Sequence, residues 1–221
     1  MWANRGAAGK GWHRVVVLFG LLVSFPAAAD IMVRVEESFN GQLPITAVHW
    51  FGDKRSTRDD GSRYVVTRLD EARIYTIDRL AQNYSVSKLP VLNNPGQPLD
   101  VRALARDETR SIGPWTARKY EVIGAATAGM QIIIWATRDV DIDLENFRNI
   151  MTGLARRPGS EWMAAYRQID GFPVLQEVQM EHKGVQYFGQ TRVVAVEERE
   201  PPQDIYAPPA DFRQLNAAAT P

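Results

Sequence analysis

From residue 30 onward the chain alternates apolar and polar side chains with period two, and this pattern constrains its fold more than any other feature. A strand turns successive side chains to opposite faces, so alternation marks a sheet buried on one side. Ile31, Val33 and Val35 share one face while Arg34 and Glu36 take the other. Segments 45–51, 62–69, 72–78 and 82–88 follow at short spacing, divided by turn chemistry at Asn40-Gly41 and Asp59-Asp60-Gly61. Five strands in a meander are expected. In 89–99, Pro90, Pro95 and Pro98 surround Asn93-Asn94 and Gly96, and proline cannot donate to a ladder, so this stretch is expected to be a loop. Strands resume over 118–123 and 130–137, where Ile132, Ile133, Ile134 and Trp135 are apolar on both faces, as in a central strand covered on both sides.

Over 141–171 the period changes to that of a helix. Leu144, Phe147, Met151 and Leu154 form one face, and Asp141 or Asp143 can cap the start. Ser160 is placed to cap a second helix carrying Trp162, Met163, Tyr166 and Ile169, which Gly171 ends and Pro173 keeps from resuming. Strands 174–183 and 186–198, joined at Lys183-Gly184, close a hairpin. The order of elements predicts a single α+β domain over 30–212 with a mainly antiparallel sheet and two short helices, then a disordered tail over 213–221.

Residues 1–29 carry the pattern of a cleavable secretory signal. Arg5, Lys10 and Arg14 make the start positive, residues 15–25 are apolar but shorter than the roughly 20 residues of a spanning helix, and Ala27-Ala28-Ala29 follows Pro26. Export to the periplasm, or secretion, is expected, with a mature chain beginning at Asp30 and no stable membrane span after cleavage. The chain has no cysteine, which excludes a lipid anchor at the cleavage point, thiol catalysis and structural disulfides. Three of the 26 basic residues lie in the signal, so 23 remain against 26 acidic ones, a net charge of −3 that offers no field for nucleic acid.

Catalytic and metal motifs are missing. His49 and His182 are the only histidines after residue 29, each on an expected strand and without H-x-x-x-H or H-E-x-x-H spacing. A hydrolase using either histidine with a carboxylate is the third reading in order. Ser62 and Ser160 sit in turn and capping contexts rather than in a G-x-S-x-G elbow, and Asp59-Asp60-Gly61 reads as a hairpin turn rather than a calcium loop. No catalytic residue, metal site or cofactor is therefore expected. Arg55, Arg58, Arg63, Arg68 and Arg73 could meet an anionic headgroup or an acidic partner, but Asp53, Asp59, Asp60, Asp70 and Glu71 lie among them and a mixed solvated face is the favoured expectation. The aromatic and methionine side chains of the helical pair, Phe147, Met151, Trp162, Met163 and Tyr166, with Trp50 and Trp135 on strands, are the candidates to line an apolar ligand site. Core packing explains each of them too.

Several ordered blocks resemble a family of exported bacterial proteins known mainly as a domain of unknown function. They are Phe51-Gly52-Asp53-Lys54-Arg55, Ile74-Tyr75-Thr76-Ile77-Asp78 with Asn83-Tyr84, and Ile112-Gly113-Pro114-Trp115 leading to Arg118-Lys119-Tyr120. Ile134-Trp135-Ala136-Thr137-Arg138-Asp139 and Ala207-Pro208-Pro209-Ala210-Asp211-Phe212 complete the series. The resemblance implies a fold similar to periplasmic lipoprotein carriers and receptors, a strongly curved half-barrel sheet wrapping two short helices around an apolar cavity. A non-enzymatic periplasmic carrier of an apolar or lipid-like ligand is then the first functional expectation. The alternative is an envelope protein-protein interaction module, a sensor or assembly factor.

Overall fold

The computed structural model describes residues 29–89, 100–124, 127, 129–157 and 159–215. Most of the expected signal segment, most of the proline-rich stretch and residues 216–221 of the expected tail lie outside the described residues. Within them runs one open sheet of twelve strands in the order β12-β6-β5-β4-β3-β2-β1-β11-β10-β9-β8-β7. The strands are β1 (Asp30–Phe39), β2 (Ile45–Gly52), β3 (Arg55–Asp59), β4 (Arg63–Arg68), β5 (Arg73–Asp78) and β6 (Asn83–Lys88), then β7 (Arg102–Ile112), β8 (Trp115–Ile123), β9 (Met130–Thr137), β10 (Phe172–His182), β11 (Val185–Arg199) and β12 (Arg213–Gln214). All neighbours pair antiparallel except β12 on β6. The sheet is thus two meanders, β1–β6 and β7–β11, joined where β1 lies along β11 with Val33 opposite Val196.

Short connections set this topology. Lys183 and Gly184 both take positive φ, 51° and 76°, between the paired His182 and Val185, as a tight hairpin turn requires. At the β3–β4 turn the Asp60 carboxylate accepts from the backbone N–H groups of Ser62 and Arg63, and Asp59 accepts from Gly61 N. The turn chemistry seen in the sequence is borne out there.

Three elements differ from expectation. The meander has a sixth strand, β3, and β7 precedes the strand expected at 118–123. Both are polar: β3 reads Arg-Ser-Thr-Arg-Asp, and most of β7 is exposed at the sheet edge, so neither shows an apolar row. Arg213 and Gln214, expected in a disordered tail, pair with Asn83 and Tyr84 because the segment before them is held against the sheet by buried Tyr206.

The helical insertion between β9 and β10 comprises α1 (Leu144–Leu154) and a 3-10 helix, Glu161–Gln168. Asp143 caps α1, accepting from the N–H groups of Glu145 at 3.0 Å and Asn146 at 3.1 Å. Ser160 makes no capping bond, and the second helix is 3-10 rather than α. Its apolar residues recur at i, i+3, as Trp162 and Ala165 and as Met163, Tyr166 and Ile169, which is the 3-10 period. Among the described residues no helix is long and apolar enough to cross a membrane.

The two faces of the sheet carry separate cores. On one, Ile31, Val33, Val35, Phe51, Ile132 and Ile134 pack with Phe147, Ile150 and Tyr166 of the helical pair. On the other, Met32, Trp50, Tyr64, Val66 and Ile77 lie under Ile205, Tyr206 and Phe212, a strap that follows β11. Thr57 donates to Ile205 O at 2.8 Å, and Tyr206 Oη donates to the buried Asp30 carboxylate at 2.6 Å, with the Arg55 guanidinium 4.3 Å above the Tyr206 ring. The helical pair touches both β2 and β7, six steps apart in the sheet.

Candidate functional site

The helix-side face of β2, β3 and β4 presents two cross-strand rungs, Phe51–Ser56–Thr67 and His49–Arg58–Val65. Above them stand Met151 and Leu154 of α1 and Met163 of the 3-10 helix, with exposed Arg157 at the rim. Between floor and roof lies a cleft of about 350 Å³, near the lower end of the roughly 300–1,000 Å³ typical of small-molecule sites. A smaller cavity of about 100 Å³ adjoins it, sharing His49, Phe51 and Met151 and reaching Phe147, Tyr166 and Phe172. Gly153 lets α1 come down on the β4–β5 turn, since a Cβ there would stand 2.5 Å from Leu69 Cδ1.

A charged group flanks the cleft. Glu37 receives Arg58 Nε at 3.0 Å and a second bond from the same guanidinium, and His49 Nε2 lies 3.4 Å from Glu37 Oε1. Arg58 also donates to Asp60 Oδ2 at 3.0 Å. Burial acts to raise the Glu37 pKa, but hydrogen bonds from His49 and Arg58 outweigh it and hold the carboxyl at about 2. Glu37 is thus ionised at neutral pH, and it raises the pKa of Arg58 in turn.

Of the seven candidate residues, four face the cleft or its adjoining cavity: Met151 and Met163 line the larger space, and Phe147, Met151 and Tyr166 the smaller. Phe147 is buried with ring centroids 5.3 Å from Phe51 and 5.0 Å from Phe172. Tyr166 Oη donates to Gln176 Oε1 at 2.6 Å, and burial pushes its hydroxyl well above the ordinary phenol range. The other three do not come together with them. Trp50 alternates to the opposite face of β2 and is buried in the strap-side core. Trp135 stands on the face of β9 opposite Ile134, where Arg110 covers its ring at 4.0 Å and its indole N–H donates to Glu177 at 3.1 Å. Trp162 is 7% exposed, packs on Tyr166 and lines neither space. Strand parity is the sequence signal that sets Trp50 and Trp135 apart, while Trp162 lies on the 3-10 helix and is buried in the core.

Of the other lining residues, Arg58 belongs to the arginines weighed for an anionic headgroup, whereas Ser56, on the unexpected β3, and Val65 and Thr67, on the expected β4, carry no site signal in the sequence. His49 does border the cleft, while His182 stands exposed at the β10–β11 turn. No described serine or threonine hydroxyl is hydrogen-bonded to either histidine. Among the described residues no group of three or more His, Asp or Glu side chains is placed to hold a metal ion.

At the end of β1 a third depression, about 370 Å³, is lined by Phe39, Leu43, Ile45 and Val178 together with Glu37, Gln176 and Thr191. The hairpin tips beside it expose Phe39, Leu43, Ile45, Val185 and Phe188, with Leu43 90% exposed.

No family model matches the chain, and no curated protein matches it. Among solved structures it is similar to MucB in complex with MucA(peri), at 15% identity and a TM-score of 0.43 over 86% of this chain and 58% of that one. A Pseudomonas aeruginosa MucA/MucB complex gives 13% and 0.44, over 86% and 59%. A LolA superfamily protein from Nitrosomonas europaea gives 10% and 0.32, over 83% and 91%. The chain spans about three-fifths of the length of the MucB structures it matches.

Proposed function

We propose that this protein is a non-enzymatic periplasmic binding protein that holds an apolar or lipid-like ligand between the sheet and its helical pair. The observation that carries the reading is the cleft of about 350 Å³ roofed by Met151, Leu154 and Met163 over Phe51 and Val65. Methionine and leucine adapt to varied apolar shapes, and the roof residues are half-buried rather than locked in the core. Contacts of one helical pair with both β2 and β7 support a sheet curved around it, as a half-barrel would be. The pattern of residues 1–29 supports export.

Native mass spectrometry of protein taken from the periplasm of its producing cells tests this. A lipid adduct that disappears in Met151→Trp, which fills the cleft, is the expected result. A wild-type protein free of adduct that also fails to bind N-phenyl-1-naphthylamine overturns it.

A second reading rests on a different surface. The joined tips of the β1–β2 and β10–β11 hairpins expose five large apolar side chains, which suits a protein interface. Crosslinking at Leu43 that captures one defined envelope protein, in a chain that binds no apolar probe, favours this interaction module.

A further inference from the structure

The floor of the cleft carries more hydrogen-bonding capacity than an apolar guest needs. Ser56 and Thr67 are a directly paired cross-strand couple, roughly 5 Å apart by the geometry of antiparallel neighbours. Both line the cleft, both are more than nine-tenths buried at 7% and 3% exposure, and neither hydroxyl is hydrogen-bonded to any described residue. Their neighbours in the sheet behave otherwise: Thr57, on the opposite face, donates to Ile205 O. Neither oxygen is sealed inside the protein, so both open on the cleft, where an acceptor on a guest can meet them. Beside them Arg58 has spent three of its N–H groups on Glu37 and Asp60, which leaves two of the guanidinium's five.

We infer that the Ser56–Thr67 ledge receives the terminal carboxyl or ester oxygens of an acyl chain whose hydrocarbon lies against Phe51, Met151, Leu154 and Met163. The inference rests on the apolar-ligand reading and narrows it to a chain that ends in an oxygen acceptor. Donors dominate this floor: Ser56, Thr67 and Arg58 line the cleft, and the Arg157 cation stands at its rim. Glu37 and Asp60, the acids beside Arg58, do not line it. An acceptor head is matched there, and an ammonium head would meet Arg58 and Arg157.

The test uses the folded mature chain with N-phenyl-1-naphthylamine as a neutral apolar probe, displaced by dodecanoate or by methyl dodecanoate. Ser56→Ala with Thr67→Val keeps the floor's shape and removes both hydroxyls. The double variant is expected to keep a wild-type melting temperature or higher, while dodecanoate affinity falls at least about tenfold relative to that of the neutral probe. A fall for dodecanoate alone assigns a free acid, and a fall for both displacers assigns the acyl carbonyl in general. Unchanged displacement by both, with probe binding intact, overturns the ledge and leaves the apolar cleft standing. A wild-type protein that binds no probe overturns the cleft and the ledge together.

Discussion

Replacing Tyr206 with Phe tests what holds the strap to the sheet. The hydroxyl donates at 2.6 Å to the Asp30 carboxylate, whose side chain is 6% exposed and whose other charged contact is Arg55 at 3.6 Å. Phe keeps the ring and its stacking under the Arg55 guanidinium, so the substitution isolates one hydrogen bond to a buried charge. Such a bond contributes about 1.5–3 kcal/mol, because its loss leaves a desolvated carboxylate short of a donor. For a chain of this size each kcal/mol moves the melting temperature by about 2–4 °C, so a drop of roughly 3–12 °C is expected at neutral pH. Thermal unfolding followed by circular dichroism measures it, and a cycle with Asp30→Asn should return a coupling of at least about 1 kcal/mol. The pH dependence has a defined sign. Burial first, and then the bond to Asp30, raise the Tyr206 pKa far above the phenol range. Its contribution is therefore complete below about pH 10, the unfolded value, and fades only as pH rises toward the folded value. A Tyr206→Phe protein within about 0.5 kcal/mol of wild type would refute the reasoning, and would mean that apolar burial alone seats the strap.

Glu37, held at about 2 in the folded state against an ordinary value near 4.5, lends stability that is whole above about pH 4.5 and lost as pH falls toward 2; acid titration of Glu37→Gln should show a flatter limb over that window. Phe147→Ala removes a ring packed on Phe51, Tyr166 and Phe172, so chemical denaturation should report a loss of about 3–5 kcal/mol. Gly171 has φ of +111° and a Cβ there would sit 2.4 Å from Thr137 O, so Gly171→Ala should cost at least about 2 kcal/mol by the same measurement. Intact-mass analysis of the exported protein should give a chain that starts at Asp30.

Alternation made most of the sheet legible, and it failed where a strand has no buried row to alternate. The β7 strand is nearly all exposed, and its charges serve cross-strand pairs such as Arg106 with Glu121 and Lys119 with Glu108. A sequence window sees these only as hydrophilic. The β3 strand hid for a related reason: Ser56, Thr57 and Arg58 are small or charged, and their burial comes from α1 on one face and the strap on the other. Missing β3 removes a third of the cleft's floor from view, although the roof residues Met151 and Met163 are legible in the helical pattern. The 3-10 geometry of the second helix was present as i, i+3 spacing, but a few short repeats do not separate periods of 3.0 and 3.6. Nor does composition tell the two faces of a sheet apart, and Trp50 went to the strap side while the sequence reading grouped it with the helices.

The pairing of β1 with β11 orders events in time. Residues 30–39 are synthesised early, yet their partners at 189–199 follow about 150 residues later. Until then the first strand has an open edge, and ends so far apart in the chain meet slowly. A nascent chain of this topology has to be shielded while it waits for its last hairpin, so a holding chaperone should matter more to its yield than to its final stability.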